Sequence, residues 1–200
     1  MSAHRTLLSL TGVLAGVGLM AGNVLGASAA GGAGAAAPSA TSPTEAGSWL
    51  PHTYQFHFMG FTATYSCDGL GDKLQLLLRL AGARADAKVT PLCARGYGVP
   101  DKLAEAQVVF STLQPASAAS GVAGTWRHVE LAPRHPFELQ AGDCELVEQF
   151  RDTLLPMFAT RNLKNQITCV PHQESGSNFS LSFDVLAPVP APKGPAAKGA

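Results

Sequence analysis

Hydrophobic and polar residues alternate most cleanly near the end of the chain. Phe179, Leu181, Phe183 and Val185 fall on one side of an extended backbone, and Ser180, Ser182 and Asp184 on the other. This period of two predicts a strand over 178–186 with one buried and one wet face, the pattern of an antiparallel sheet packed on one side. The aromatic and β-branched run from Tyr54 to Tyr65 predicts another strand. There Tyr54, Phe56 and Phe58 alternate, Phe61, Ala63 and Tyr65 follow in the opposite phase, and Gly60 at the switch predicts a bulge. After Cys67 the period becomes helical: Leu70, Leu74, Leu77, Leu78 and Ala81 mark one face, with Ser66 or Asp68 placed to cap it and Gly82 to end it. Leu146, Val147, Phe150, Leu154 and Met157 predict a second helix, capped by Asp143 and stopped or kinked by Pro156, which has no amide proton to donate. Short strands are expected over 85–92, 106–113, 125–131 and 163–170.

The pattern also recurs. Gly47-Ser48-Trp49 returns as Gly124-Thr125-Trp126 and Cys67 as Cys144, both at an offset of 77. Cys93 returns as Cys169 at 76, and Phe110-x-x-Leu113-x-Pro115 as Phe183-x-x-Leu186-x-Pro188 at 73. Matches in the same order, with small loop deletions between them, predict an internal duplication. Two copies of about 70 residues are too few and too long for a solenoid array. The expectation is therefore an α+β fold of two pseudo-repeated βαββ units. Two helices would pack on one face of a mainly antiparallel sheet of six to eight strands, in ferredoxin-like style. Half one would span 49–115 and half two 124–186 of a single domain, 49–186.

The repeat pairs Cys67 with Cys93 and Cys144 with Cys169. In a strand–helix–strand crossover the two strands run parallel, so a residue at the helix start and one at the end of the next strand share an edge. No C-x-x-C is present, and no two cysteines stand at the close spacing usual among zinc ligands, which leaves two structural disulfides.

The ends differ in character. Arg5, the apolar stretch from Leu7 to about Leu25 and the small-residue exit Ala27-Ser28-Ala29 make 1–29 a secretory signal peptide. Glycines interrupt the run and weaken it as a membrane anchor, so no stable membrane span is expected after cleavage. Gly, Ala, Ser and Pro dominate 30–48, expected as a disordered linker, and Pro, Ala and Lys dominate the tail 187–200, expected to be disordered as well. With 14 Lys and Arg against 14 Asp and Glu the net charge is zero. Without a basic stripe, nucleic acid is a poor partner.

Candidate chemistry is sparse. The sequence has no H-E-x-x-H, no G-x-S-x-G elbow and no phosphate-binding loop; Gly96-Tyr97-Gly98 reads as a plain loop. His52 and His57 fall on opposite faces of a strand, whereas His128, His135 and His172 lie in or near loops of half two, where they can converge on a metal. Glu145, Glu148 and Asp152 read as a solvated face of the second helix rather than paired catalytic carboxylates. Arg151 and Arg161 can hold an anion but read as solvated charges. Trp49 and Trp126 read as plugs at the core end of each half, with a stacking platform for a flat ligand as the functional counterpart. Asn178-Phe179-Ser180 matches a glycosylation sequon.

The strings Tyr65-Ser66-Cys67-Asp68-Gly69-Leu70 and Gly142-Asp143-Cys144-Glu145-Leu146-Val147-Glu148-Gln149-Phe150 resemble those of exported bacterial proteins with no assigned activity, over roughly 54–186. The resemblance implies a bacterial, periplasmic or secreted protein and brings no catalytic, cofactor-binding or metal residues with it. The functional expectation is a non-enzymatic envelope protein without cofactor, which binds or scaffolds an envelope protein or cell-wall component. The alternatives are a small-ligand binder at the groove between the halves and a metal-assisted hydrolase using His128, His135 and His172. A non-reducing peptide map of the periplasmic protein should begin near Ala30 and contain Cys67–Cys93 and Cys144–Cys169 as linked peptides; free thiols or crossed pairs would remove the repeat-based pairing.

Overall fold

The computed structural model describes residues 44–92, 99–117 and 121–189. The expected signal peptide, most of the expected linker, Cys93, the Gly96-Tyr97-Gly98 loop and most of the expected tail lie outside the described residues. The described elements are β1 (Thr44–Met59), α1 (Cys67–Leu80), β2 (Lys88–Leu92), β3 (Leu103–Pro115), β4 (Val122–Leu131), α2 (Cys144–Thr153), β5 (Thr160–Thr168) and β6 (Asn178–Pro188). Short 3-10 turns at Ala141–Asp143 and Leu155–Met157 flank α2. The class is α+β: six strands form one open antiparallel sheet in the order β2-β3-β1-β4-β6-β5.

The local causes follow the sequence pattern. The Ser66 hydroxyl caps α1 by accepting the Gly69 amide, and Gly82, with φ of +84°, takes the left-handed position beyond the helix end. Leu70, Leu74, Leu77 and Leu78 of α1 and Leu146, Val147 and Phe150 of α2 are fully buried. They join Phe56 and Phe58 of β1, Val108 and Phe110 of β3, Leu131 of β4 and the Phe179–Val185 alternation of β6 in one hydrophobic core. Both helices thus serve the same face of the sheet. The ring of Phe110 stacks on Phe158 at 5.5 Å and on His52 at 5.1 Å, and Tyr65 meets Phe58 edge-on at 4.8 Å.

The sheet is narrow at its middle. Among the described residues β1 pairs with β3 over the whole run Gly47–Met59 and with β4 through Thr44–Gly47 against Val122–Thr125. Two three-stranded ribbons therefore meet at one short ladder. Small residues make that meeting possible. A Cβ on Gly47 would stand 2.7 Å from Leu113 Cγ, and one on Gly124 would stand 2.9 Å from Leu113 Cδ2 and 3.0 Å from Leu186 Cδ1. The expected linker is corrected over 44–48, which belong to β1, because the small residues there are those a close strand crossing requires. The expected tail is corrected likewise, since β6 continues to Pro188 with Ala187 only 5% exposed.

The bulge at Gly60 is also corrected. The strand ends at Met59, and Gly60 opens a tight turn in which its amide donates to Lys102 O at 2.7 Å and a Cβ would lie 2.1 Å from Ala63 O. Residues 61–64 form a loop, and Tyr65 returns through a single bridge to Asp101. Further contacts tie the ribbons together. Thr112 Oγ1 donates to Met157 O at 3.0 Å and accepts from Gln114 Nε2 at 3.0 Å, with His52 Nε2 at 2.8 Å. Burial lowers the His52 pKa below the ordinary histidine value. Gly47→Ala should lower stability by about 1–3 kcal/mol through overpacking against Leu113, read as a lower urea midpoint at unchanged m-value; an unmoved midpoint would show that the Leu113 side chain yields freely.

Candidate functional site

Two carboxylates at the start of α2 are buried, Asp143 at 4% and Glu145 at 6% exposure. The solvated-face reading holds for Glu148 and Asp152, which pair with Arg151, but is corrected for Glu145. Its oxygens accept the amides of Phe61 at 3.1 Å, Thr62 at 3.0 Å and Ala63 at 3.2 Å, so they hold the 60–65 loop of the other ribbon. Hydrogen bonds from backbone amides are what make a buried carboxylate tolerable. Asp143 is corrected too. It occupies the cap position, yet its side chain makes no capping bond to α2. Its Oδ1 accepts Tyr65 Oη at 2.5 Å, and its Oδ2 accepts Lys73 Nζ and the Gln140 amide, both at 2.7 Å. The 3-10 turn before α2 is the reason: it turns the carboxylate inward, toward α1. Burial, then the Asp143 carboxylate, push the Tyr65 hydroxyl well above the ordinary tyrosine range.

A cavity of about 300 Å³ opens beside this cluster, lined by Thr62, Tyr65, Lys73, Asp143 and Glu174 among others. Its buried polar atoms are already engaged: among the described residues no buried side-chain nitrogen or oxygen lacks a partner. The arrangement clasps the two ribbons and leaves no buried acceptor aimed at a substrate.

A larger cavity, about 590 Å³, lies on the other side of the seam. Arg79, Gly82 and Ala83 at the end of α1 form one wall, residues 125–128 of β4 the opposite one, and Ala187 and Pro188 of β6 the end. Gly82, whose φ of +84° favours glycine, lies against β6, within ordinary contact of Ala187. Arg127 Nη2 spans the groove to donate to Leu80 O at 2.7 Å. Arg79 and Arg127 line this groove together with His128, whose ring is held by Asp184, and none of the lining residues is acidic. Sequence reading missed Arg79 and Arg127. The available signals were a basic residue in the last turn of α1, just ahead of Gly82, and another next to Trp126.

The sheet face away from the helices carries the two tryptophans. Neither belongs to the hydrophobic core, so the plug reading is corrected. The Arg84 guanidinium sits 5.8 Å over Trp49, and that of Arg161 sits 4.3 Å over Trp126, whose Nε1 donates to Glu45 at 2.7 Å. One plane of each ring is thereby taken. Asp184 gathers Asn162 Nδ2 at 2.7 Å, His128 Nδ1 at 3.0 Å and Arg161 Nε at 3.4 Å, and these contacts, that of Asn162 first, hold its carboxyl below the usual range.

The three histidines expected to converge do not. His128 lies on β4 beside Asp184, His135 in the loop before α2, and His172 in the β5–β6 turn. Among the described residues no group of three or more His, Cys, Asp or Glu could hold a metal ion. His52 and His57 do fall on opposite faces: His52 packs on Phe110, while His57 meets Glu105 at 3.2 Å in solvent. Cys144 and Cys169 form a disulfide with Cα atoms 5.7 Å apart, and Cys67 is disulfide-bonded as well.

No family model, curated protein or solved structure matches the chain. No helix among the described residues is long and apolar enough to cross a membrane.

The Tyr65 contact yields a pH signature. Because folding raises its pKa, its contribution is complete below the unfolded value of about 10 and falls by about 1.4 kcal/mol per pH unit above it. Tyr65→Phe should cost about 1–2 kcal/mol at pH 8 and show a shallower alkaline loss than the wild type. Urea titrations from pH 8 to 11 test this; parallel losses in the two proteins would rule it out.

Proposed function

We propose that this chain is an exported, non-enzymatic binding module, made of two copies of one βαββ unit, whose binding surface is the groove between them. The observation that carries the reading is the 590 Å³ groove lined by Arg79, Arg127 and His128 with no acidic residue in its lining. Its volume suits a bound ligand segment. Among the described residues the buried groups Tyr65, Asp143 and Glu145 spend their hydrogen bonds on each other, on Lys73 and on the backbone, which favours binding over chemistry at the seam.

Several features support the duplication. Read from either edge, the sheet gives the same arrangement, β2-β3-β1 and β5-β6-β4, with the last strand of each unit in the middle. Arg84 stacks on Trp49 and Arg161 on Trp126, and both partners are displaced by the same 77 residues. The Cys144–Cys169 bridge supports an oxidising compartment, and with the expected signal peptide it favours the periplasm or the exterior. The partner in this reading is an envelope protein or cell-wall component. A soluble small anion is the second reading, favoured by the same guanidinium pair. A hydrolase built on His128, His135 and His172 draws no support from their separate positions.

Arg79→Glu with Arg127→Glu should reduce retention of the mature protein on isolated envelope fractions at least tenfold, with the thermal midpoint kept. Equal retention of wild type and variant would exclude the groove as the binding surface.

A further inference from the structure

Beyond the groove, we propose a second binding site, for a neutral saccharide, centred on Asp184 at the surface of β4, β6 and β5. A cavity of about 440 Å³ is lined there by His128, Asn162, Leu163, Lys164, Ser182 and Asp184. That volume suits a small ligand. The backbone of β5 is distorted in the way that builds this cluster. Arg161 pairs with Asp184 and Lys164 with Ser182, so two residues of β5, Asn162 and Leu163, stand against the single Phe183 of β6. In a regular strand successive side chains leave opposite faces. Here Asn162, at φ of 55°, and its neighbour Arg161 both reach the Asp184 carboxylate, at 2.7 and 3.4 Å. Left-handed backbone at a residue other than glycine costs free energy and persists where the surroundings demand it. A break in register is enough to protect a sheet edge. Protection does not require the extra residue to turn its amide onto a carboxylate that also holds His128. Re-aiming a side chain toward a site is the other established use of a bulge.

The chemistry of the cluster selects the ligand. One oxygen of Asp184 takes His128 Nδ1 at 3.0 Å, and the other takes Asn162 and Arg161. Three polar side chains are thus held in place before any ligand arrives, which lowers the ordering cost of binding. The set contains both kinds of hydrogen-bonding group. The carboxylate and the Asn162 amide oxygen accept, whereas Arg161 and Lys164 donate. A hydroxyl donates one hydrogen bond and accepts two, so a ligand built of hydroxyls uses both kinds. Charge excludes the alternatives. The Asp184 carboxylate at the centre opposes phosphates and carboxylates, and Arg161 and Lys164 oppose cations. Leu163, 51% exposed, adds an apolar surface beside the polar set, matching the mixed C–H and hydroxyl faces of a sugar ring.

The test follows the backbone amide resonances of the mature chain by NMR during titration with chitotetraose, maltotetraose and cellotetraose. Tetragalacturonate and inorganic phosphate serve as charged comparisons. At least one neutral tetrasaccharide should shift the amides of 160–165 and 182–184, and neither anion should match it. Asn162→Gly suits the left-handed backbone and removes the amide. It should weaken that saccharide at least tenfold without lowering the thermal midpoint. Arg79→Glu with Arg127→Glu should leave saccharide binding unchanged. No shift with any of the three neutral saccharides would overturn the site and leave Asp184 as a clasp among strands. Tighter binding of phosphate or tetragalacturonate would overturn it as well, and so would saccharide shifts confined to the groove at 79–83 and 125–127. Envelope retention by the groove arginines is measured separately, so the binding-module reading and the saccharide site can each fail while the other stands.

Discussion

The ladder between Thr44–Gly47 and Val122–Thr125 is the constraint on which the rest of this fold depends. It is the sole strand-to-strand joint between the two described ribbons, and it is short. It contains two glycines whose missing side chains leave room for leucines of neighbouring strands, Leu113 over Gly47 and both Leu113 and Leu186 over Gly124. Among the described residues no other strand pair joins the ribbons, and the remaining polar contacts between them are made by side chains.

Those side chains come mainly from one stretch. Asp143, Cys144 and Glu145 are consecutive, and each faces a different partner: Tyr65 and Lys73, the end of β5 through Cys169, and the amides of 61–63. On the opposite flank the Thr112 hydroxyl gathers His52, Gln114 and Met157 O. Polar clasps of this kind contribute little net free energy when complete and cost several kcal/mol when one member is removed. They therefore define the relative setting of the ribbons more than they stabilise it, and the shared hydrophobic core supplies the attraction.

The fold was legible where periodicity was strong. The α1 leucines and the Phe179–Val185 alternation point where the sequence places them, and Ser66 and Gly82 bound α1 as expected. What escaped has a common cause: the residue's role is decided by a partner far away in the chain. Gly47 reads as linker until Leu113 is seen above it. Glu145 lies three residues before Glu148 and reads as solvent-facing, because nothing local reveals the three amides of a loop more than 80 positions earlier. The groove is illegible for the same reason, since Arg79 and Arg127 belong to different ribbons and acquire a joint meaning only when α1 ends over β6. Conversely, proximity in loops misled for His128, His135 and His172, which the topology sends to separate places.

The position of β6 has a consequence for the order in which the molecule can assemble. The last described strand is an inner one, inserted between β4 and β5, and it carries Phe179, Leu181 and Phe183 into the core. Until it arrives, α2 has only the β1 and β5 part of the surface it covers, and the amides of 61–63 depend on an acceptor that is not yet fully anchored. Sequence-distant contacts close slowly, because the loop entropy is lost before the contact energy is gained. A fold built this way cannot close its core until β6 has been made.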